Sequence, residues 1–572
     1  MTSNTPTAFP RPGRLVRWWC RAALLPSCLL ATAGAAQVVV PPVADISRQR
    51  VMPLPLPEQN FDLQILNPER AAAPRAVDEI EFSIRHIKVS GATLFSDAEL
   101  AAIFVPLEGK RIVLDDLRKA GEQLEDRYRA RGYFLTRVFV PPQAVRDGTL
   151  EVRVVEGFIG SVSVEALNKG SRALGSAMVG PVTAERPVRL VSLEAPLLLL
   201  NDMPGVRATG ALKAGAALGS SDLILNIDRR PGQSFAVISN FASEAVGPMT
   251  YALGTSLSQP FGTPGLLDLS FSGAGQGARE LQALTGRYAM PLGGKGMVAS
   301  IGMVMARAAP GGEVSALDIK SRSGSGSVRL RFPLVRERAH SLFLDVGLSV
   351  NRSRVAALSE PITNDRSTVA DVALAWKQVG WLGGNMTVRV GLAQGLLLLG
   401  ANDQNAPLPS VAGFTPKFLR LTYLLQRNQP LHGNLSAGLI VQGQYSSDTL
   451  ASGEQIMFGG GLIGRGYDPS QVIGDRGIGV LGELRLGLPA LSSKGWLENL
   501  QLVAFGDWAE ASVNPVGNQP GSTARLASLG LGLRALAFGR IVLDAHVASA
   551  RRAISATMPG GERVNVTAMV LF

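Results

Sequence analysis

Apolar and polar residues exchange places with a two-residue period through most of the second half of the chain. In the segment ending at Phe572, Val564, Val566, Ala568, Val570 and Phe572 fall on one side; Arg563, Asn565, Thr567 and Met569 fall on the other. Side chains on a strand swap faces at every residue, so this is a ribbon with one apolar and one mainly polar face. The pattern recurs upstream: Leu342, Leu344, Val346, Leu348 and Val350 oppose Phe343, Asp345, Gly347, Ser349 and Asn351. Likewise Val480, Leu484, Leu486 and Leu488 oppose Glu483 and Arg485. From Gln233 onward about sixteen such segments follow one another, each roughly 9–12 residues long, with Gly, Pro, Asn and Ser between them. An even number of alternating ribbons predicts a transmembrane barrel of about sixteen antiparallel strands over residues 232–572, wide enough for an aqueous lumen. A soluble sandwich or propeller is the competing reading of the same alternation.

The periodicity differs in front of the barrel. Residues 82–90 read as a strand, Ser96 as the cap of a short helix through Phe104, and Leu114, Leu117, Leu124 and Tyr128 as one face of a longer helix. Asp115 and Asp116 open that helix, Arg129 and Arg131 close it, and Gly132 follows as its stop. Strands over 133–140 and 149–156 complete a β-α-α-β-β unit spanning 79–156. A second unit over 157–231 repeats the order: strand 159–165, a loosely helical stretch, a helix from about Ser192 to Asp202, and strands opening at Gly205 and over 223–228. With Ser192 as cap, Pro196 falls near the first turn, where amide donors lack partners anyway.

Composition sharpens this picture. Basic residues precede an apolar stretch and then small residues through Ala36, so residues 1–36 read as a secretory signal peptide. Both cysteines, Cys20 and Cys28, fall inside it; the expected mature chain has no disulfide and no thiolate chemistry. Residues 37–78 are proline-rich and read as an extended linker, too proline-broken for a convincing plug helix beyond one short turn. No segment approaches the ~20 apolar residues of a membrane helix. The net charge of +11 has no Lys/Arg run behind it, so it points to solvated surface and lumen, not to nucleic acid. His86, His340, His432 and His546 lack metal-ligand spacing, and no catalytic arrangement, metal site or cofactor motif emerges.

The densest motif lies in the longest inter-strand segment, 446–476. It runs Phe458, Gly459, Gly460, Gly461, Leu462, Ile463, Gly464, Arg465, Gly466, Tyr467, Asp468, Pro469, then Gly474, Asp475, Arg476, Gly477 and Glu483. Gly459, Gly461 and Gly464 have dinucleotide-loop spacing, but no βαβ unit surrounds them, and a folded-back hairpin tip presenting Arg465 is the better reading. These residues resemble the sixth extracellular loop of the two-partner secretion transporters (TpsB; ShlB/FhaC/HecB-type haemolysin secretion/activation proteins). The two β-α-α-β-β units resemble that family's POTRA pair, and Leu200 to Gly205 is similar to its second-POTRA segment. A terminal aromatic such as Phe572 resembles the last-strand mark of bacterial outer-membrane proteins, read during barrel assembly.

The resemblance implies an α+β POTRA pair in the periplasm, an outer-membrane barrel, and a loop folded into the pore with its Arg paired to an inner-wall Asp. Phe505-Gly506-Asp507 stands where that Asp belongs, and alternation puts Asp507 on one face with Val503 and Phe505. The expected partners are an unfolded secreted polypeptide, membrane lipid and the barrel-assembly machinery. No enzymatic activity is expected. An assembly factor of the same superfamily, a barrel enzyme and a passive porin are the rival readings.

Overall fold

The computed structural model describes residues 63–65, 81–143, 147–243, 246–492, 496–554 and 561–572. The expected leader and most of the expected linker, including any plug helix, lie outside them.

Among the described residues nine strands precede the barrel: β1 (Leu63–Ile65), β2 (Glu81–Ser83), β3 (His86–Ser90), β4 (Arg111–Val113), β5 (Arg137–Phe139), β6 (Thr149–Val155), β7 (Phe158–Ala166), β8 (Val206–Ala214) and β9 (Ser220–Arg229). Among the described residues four helices are interleaved, α1 (Asp97–Phe104), α2 (Leu114–Ala130), α3 (Lys169–Val179) and α4 (Leu190–Asp202). Strands β3, β6 and β5 form one sheet; β1, β8, β9 and β7 form another. Helices α1 and α2 cover the first through Leu100, Ile103, Phe104, Leu117, Leu124 and Tyr128.

The first helix starts as its sequence asks. Ser96 Oγ accepts the Glu99 amide, and Glu99 Oε2 accepts the Ser96 amide at 2.9 Å. Beyond α2, Gly132 takes φ +92°, and the Tyr133 amide reaches back to the Tyr128 carbonyl.

Three local expectations need correction. The strand expected over 82–90 is two: β2 pairs with β4, whereas β3 runs parallel to β6. The strand expected over 133–140 shrinks to β5. Helix α4 is capped by Arg189, not Ser192, so Pro196 sits inside it. The lost amide is tolerated because Leu193, Leu197, Leu198 and Leu200 bury that helix against its sheet.

The barrel comprises β10 (Gln233–Ser239), β11 (Thr250–Ser258), β12 (Leu266–Ala274), β13 (Leu281–Leu292), β14 (Met297–Ala308), β15 (Lys320–Arg336), β16 (His340–Ala357) and β17 (Glu360–Trp381). It continues with β18 (Gly384–Leu396), β19 (Leu419–His432), β20 (Leu435–Tyr445), β23 (Arg476–Gly487), β24 (Leu497–Val513), β25 (Ser522–Ala537), β26 (Ile541–Ala550) and β27 (Glu562–Leu571). Two short strands, β21 (Ile456–Phe458) and β22 (Val472–Gly474), pair with each other inside the long loop. The sixteen barrel strands are antiparallel throughout and close where β27 pairs with β10. Phe572 finishes the seam: its amide donates to the Ser234 carbonyl at 3.0 Å, and its carbonyl accepts the Ser234 amide at 2.8 Å.

Leu529, Leu531, Leu533, Val564 and Val566 face outward and are exposed, while Asn565 and Asp345 face inward and are buried. An apolar outer belt around a polar interior is the arrangement lipid demands. Strand lengths exceed the sequence expectation: β17 has 22 residues and β16 has 18, so this wall rises well past the hydrocarbon.

The second sheet unit is latched to the barrel. Arg336, at the end of β15, grips Asp202 of α4 with Nε to Oδ2 at 2.6 Å and Nη2 to Oδ1 at 3.1 Å. Arg338 reaches Glu194 at 2.6 Å on the same helix. The segment from Leu200 to Gly205 thus ends a helix, turns into β8 and supplies a fork-matched carboxylate.

Candidate functional site

Residues 446–475 connect β20 to β23 at the barrel end opposite the one that the N-terminal sheets lead into, as the sixth connection there. The loop turns inward. Phe458, Ile463, Tyr467 and Val472 bury against Leu481, Phe505, Ala509, Leu526 and Ala548 of the inner wall. Gly464 adopts φ +94°, where a Cβ would sit 2.8 Å from Gly459 Cα, so the tip folds this tightly only with glycine. A Cβ on Gly466 would come 2.8 Å from the Ala550 amide nitrogen, which is how closely the tip's backbone meets the wall. The dinucleotide-like glycine spacing therefore serves the fold-back; the Gly460 amide closes it by donating to the Gly464 carbonyl.

Arg465 is 3% exposed and projects into a cluster of buried charges. Its guanidinium lies 4.4 Å from the Phe505 ring centre and donates through Nη2 to Glu483 Oε1 at 2.6 Å. The other Glu483 oxygen accepts Arg485 Nε at 2.9 Å. Arg534 stands 3.7 Å from Glu483 and binds Asp544 at 2.8 Å; Asp544 in turn meets His546 Nδ1 at 3.0 Å.

This corrects the expected Arg465–Asp507 side-chain pair. Asp507 Oδ2 accepts the Arg465 backbone amide at 3.2 Å, and Oδ1 accepts the Ser528 hydroxyl at 2.5 Å. Asp507 holds the loop by its main chain; Glu483, expected only as a supporting residue, holds the guanidinium. The reason lies in register. Leu481 faces Asp507 and Glu483 faces Phe505 across the β23–β24 ladder. The two carboxylates are thus diagonal neighbours on one lumenal face, about 7–8 Å apart in such a ladder, both within an arginine's reach.

Around the tip, Glu483, Asp507 and Asp544 cluster with Arg485 and Arg534 of the wall, and Arg465 adds a third guanidinium. Removing one member of a pair this buried typically costs about 3–5 kcal/mol, because it strands the other. Lysine could not replace the planar group stacked on Phe505.

Further contacts seat the tip. The Tyr467 hydroxyl accepts the Ala527 and Arg552 amides at 3.2 Å and lies within hydrogen-bond distance of both residues' carbonyls. The Gly466 amide donates to Ser528 Oγ at 3.3 Å, Asn565 donates to the Arg465 carbonyl at 3.0 Å, and Asp468 pairs with Arg563.

The rest of the motif divides. Asp475 is fully buried and accepts the Leu450 and Asn514 amides and the Gln455 side chain, at 2.9, 2.7 and 3.0 Å. Gly474 closes β22, and Gly477 lies opposite Ala511. Arg476 is exposed at the start of β23 and takes no part in the buried cluster.

Sequence reasoning missed Glu454. Only 3% exposed, it accepts Ser367 Oγ at 2.7 Å, Asn351 Nδ2 at 3.1 Å and Arg420 Nη1 at 2.9 Å, from β17, β16 and β19. An isolated loop glutamate carries no signal of that role. The loop is therefore pinned at two places, its base to β16–β19 and its tip to β23–β27.

With this geometry in view, residues 219–535 match the haemolysin secretion/activation protein ShlB/FhaC/HecB family, and residues 82–157 match the ShlB-type POTRA domain. The chain belongs to that family. It is an outer-membrane transporter of the two-partner secretion class, with its POTRA region in the periplasm; the family is one of secretion pores, not of enzymes. Among its relatives is the haem/haemopexin transporter protein HuxB of Haemophilus influenzae (strain 86-028NP), 22% identical over 483 residues, covering 82% of this chain and 84% of that one. The haemolysin transporter protein HpmB of Proteus mirabilis is 24% identical over 436 residues, covering 71% and 72%. In three dimensions the chain is similar to CdiB from Escherichia coli, with TM-score 0.66 and 19% identity over 89% of this chain and 93% of that one.

Proposed function

We propose that this transporter exports a large adhesin- or cytolysin-like partner from periplasm to cell surface, and that the Arg465 loop gates the passage. The periplasmic sheets capture the unfolded cargo by adding its strand to a sheet edge. The cargo then threads the lumen once the loop shifts, and folding outside supplies the pull. The observation that carries the gating reading is the buried tip itself. A loop seated by Arg465, Tyr467 and Asp507 fills lumen that a polypeptide must use, so the same contacts set both closure and release.

Strand capture has two candidate edges: β5, which ends its sheet in the order β3-β6-β5, and β8, along which the short β1 lies. An assembly factor of the same superfamily is less well supported, since the described residues ahead of the barrel hold two POTRA-like sheets and no longer array. The test is Arg465→Ala, co-expressed with the protein's secreted partner. The barrel inserts and migrates as the wild type does, while secretion falls; secretion at the wild-type level refutes the gate.

A further inference from the structure

Above its apolar belt, one stretch of the barrel's outer wall turns strongly basic. On β14, alternation sends Ile301, Met303, Met305 and then Arg307 outward; on β16 it sends Val346, Leu348, Val350 and then Arg352 and Arg354 outward. The ladders bring these cations together. Arg307 stands opposite Arg322 of β15, and Arg322 opposite Arg354, so three arginines form one row across β14–β16. One step nearer the membrane, Arg352 stands opposite Arg366 of β17. Arg366 is half-buried and the other four are exposed.

Like charges directly opposite one another destabilise a ladder, and the wall does not neutralise these. Among the described residues none of the five guanidiniums is in an ion pair. Two turn aside to neutral amides, Arg307 Nε to Gln282 Oε1 at 2.8 Å and Arg354 Nε to Asn364 Oδ1 at 3.1 Å. Arg366 Nε has no hydrogen-bond partner. The acid nearest by register, Glu280, is diagonal to Arg307, but its carboxylate lies against Gly275. Elsewhere on the same rim the charges balance: on β24–β25, outward-facing Arg525 stands opposite Glu510 and is paired with it.

The height of the cluster points to what covers it. About ten residues separate Met297 from Arg307 and Leu342 from Arg352; at about 3.3 Å per residue and about 40° of tilt, each climb is about 25 Å. That is the height of a barrel's apolar band, so the arginines begin where hydrocarbon ends, on the rim away from the N-terminal sheets. The anions at that level are lipid phosphates, whose geometry the guanidinium fork matches. The row of three and the pair beneath it offer more than one phosphate seat. A headgroup with one phosphate fills one seat; a sugar headgroup with two fills both.

We propose that this cluster binds a multiply phosphorylated glycolipid of the outer leaflet, its phosphates taken by the five guanidiniums and its acyl chains lying along Met305 and Val328, both exposed just below. The site is independent of export and gating and needs only the outer-membrane placement. One such lipid ties β14–β17 together where they rise above the hydrocarbon.

The experiment titrates fluorescent diphosphoryl lipid A into the full chain in neutral detergent micelles. Arg322→Gln/Arg354→Gln weakens binding about tenfold or more. Arg207→Gln/Arg525→Gln, which removes the same charge elsewhere, leaves it within about twofold. Unchanged heat-modifiable migration shows both variants folded. Unlabelled diphosphoryl lipid A displaces the probe, and monophosphoryl lipid A, phosphatidylglycerol and inorganic phosphate do so about tenfold less well or worse. Equal loss in the two double variants reduces the site to attraction by net charge and overturns it, as does undiminished binding to Arg322→Gln/Arg354→Gln. Displacement by phosphatidylglycerol or inorganic phosphate as effective as by diphosphoryl lipid A overturns the glycolipid assignment.

Discussion

On β23–β26 the loop brings a guanidinium, Arg465, to the buried carboxylate of Glu483; at the top of β16–β19 it brings an anion to Arg420 through Glu454. Lower on that second wall the lumenal charges need no loop. Arg331 meets Asp345 at 2.7 Å, Arg389 shares the same carboxylate, and Arg329 meets Asp371 at 2.8 Å, all on β15–β18. The difference teaches what the loop is physically: a bridge that pairs Arg465 and Asp468 with β23–β27 and Glu454 with β19, each wall incomplete where the loop touches it. A guanidinium or carboxylate buried in a lumen is stable only when paired, so occupancy of the loop and stability of the walls are coupled.

Arg465→Ala makes the largest break in that comparison, since it removes the tip's cation and its stacking on Phe505 together. Glu454→Gln comes next. It keeps the hydrogen-bond geometry to Ser367 and Asn351 but loses the ion pair to Arg420, so the base loosens while the tip stays seated. Single-channel recordings should show more frequent brief openings than in the wild type; a permanently open pore would mean the two anchors are not separate.

Asp345→Asn sharpens the contrast from the other side. Asp345 is 0% exposed, and its carboxylate serves Arg331 and Arg389 of the wall. Barrel unfolding, read by heat-modifiable migration, should shift to lower temperature with conductance unchanged. An altered conductance would make the self-paired wall part of the gate.

The smallest effect lies outside the membrane. The Ser96 amide, then Arg131 and the Ser96 hydroxyl, lower the Glu99 pKa from 4.5 to about 2. A depressed carboxylate stabilises the folded state fully above its unfolded value and loses that contribution as pH falls. The POTRA region should therefore soften between pH 4.5 and about 2, and Glu99→Gln should flatten that dependence in a thermal melt. An unaltered slope would remove the capping box from the account.

Much of this was legible beforehand. The two-residue period at Val564–Phe572 and Leu342–Val350 marked lipid and lumen faces correctly, because only one face of each ribbon touches lipid. The Ser96 cap and the Gly132 stop were equally plain, being local chemistry. The guanidinium's partner was not, because Glu483 and Asp507 share one face of adjacent strands and sequence does not fix which carboxylate a folded-back loop reaches. Strand β1 escaped notice because flanking prolines outweighed five alternating residues whose partner strand lies nearly 150 positions away. Glu454 had no pattern at all.

The central claim is that the loop is held in the lumen by its guanidinium on Glu483 and only by its main chain on Asp507. It is tested by placing Ile463→Cys, a loop-tip site 2% exposed against the wall, and measuring the rate of maleimide labelling on intact cells. Adding Glu483→Gln, which removes the carboxylate that holds both Arg465 and Arg485, should raise that rate on the order of tenfold or more. Adding Asp507→Asn, whose amide oxygen still accepts the Arg465 N–H, should leave the rate close to that of Ile463→Cys alone. Fast labelling with Asp507→Asn and slow labelling with Glu483→Gln would contradict the account.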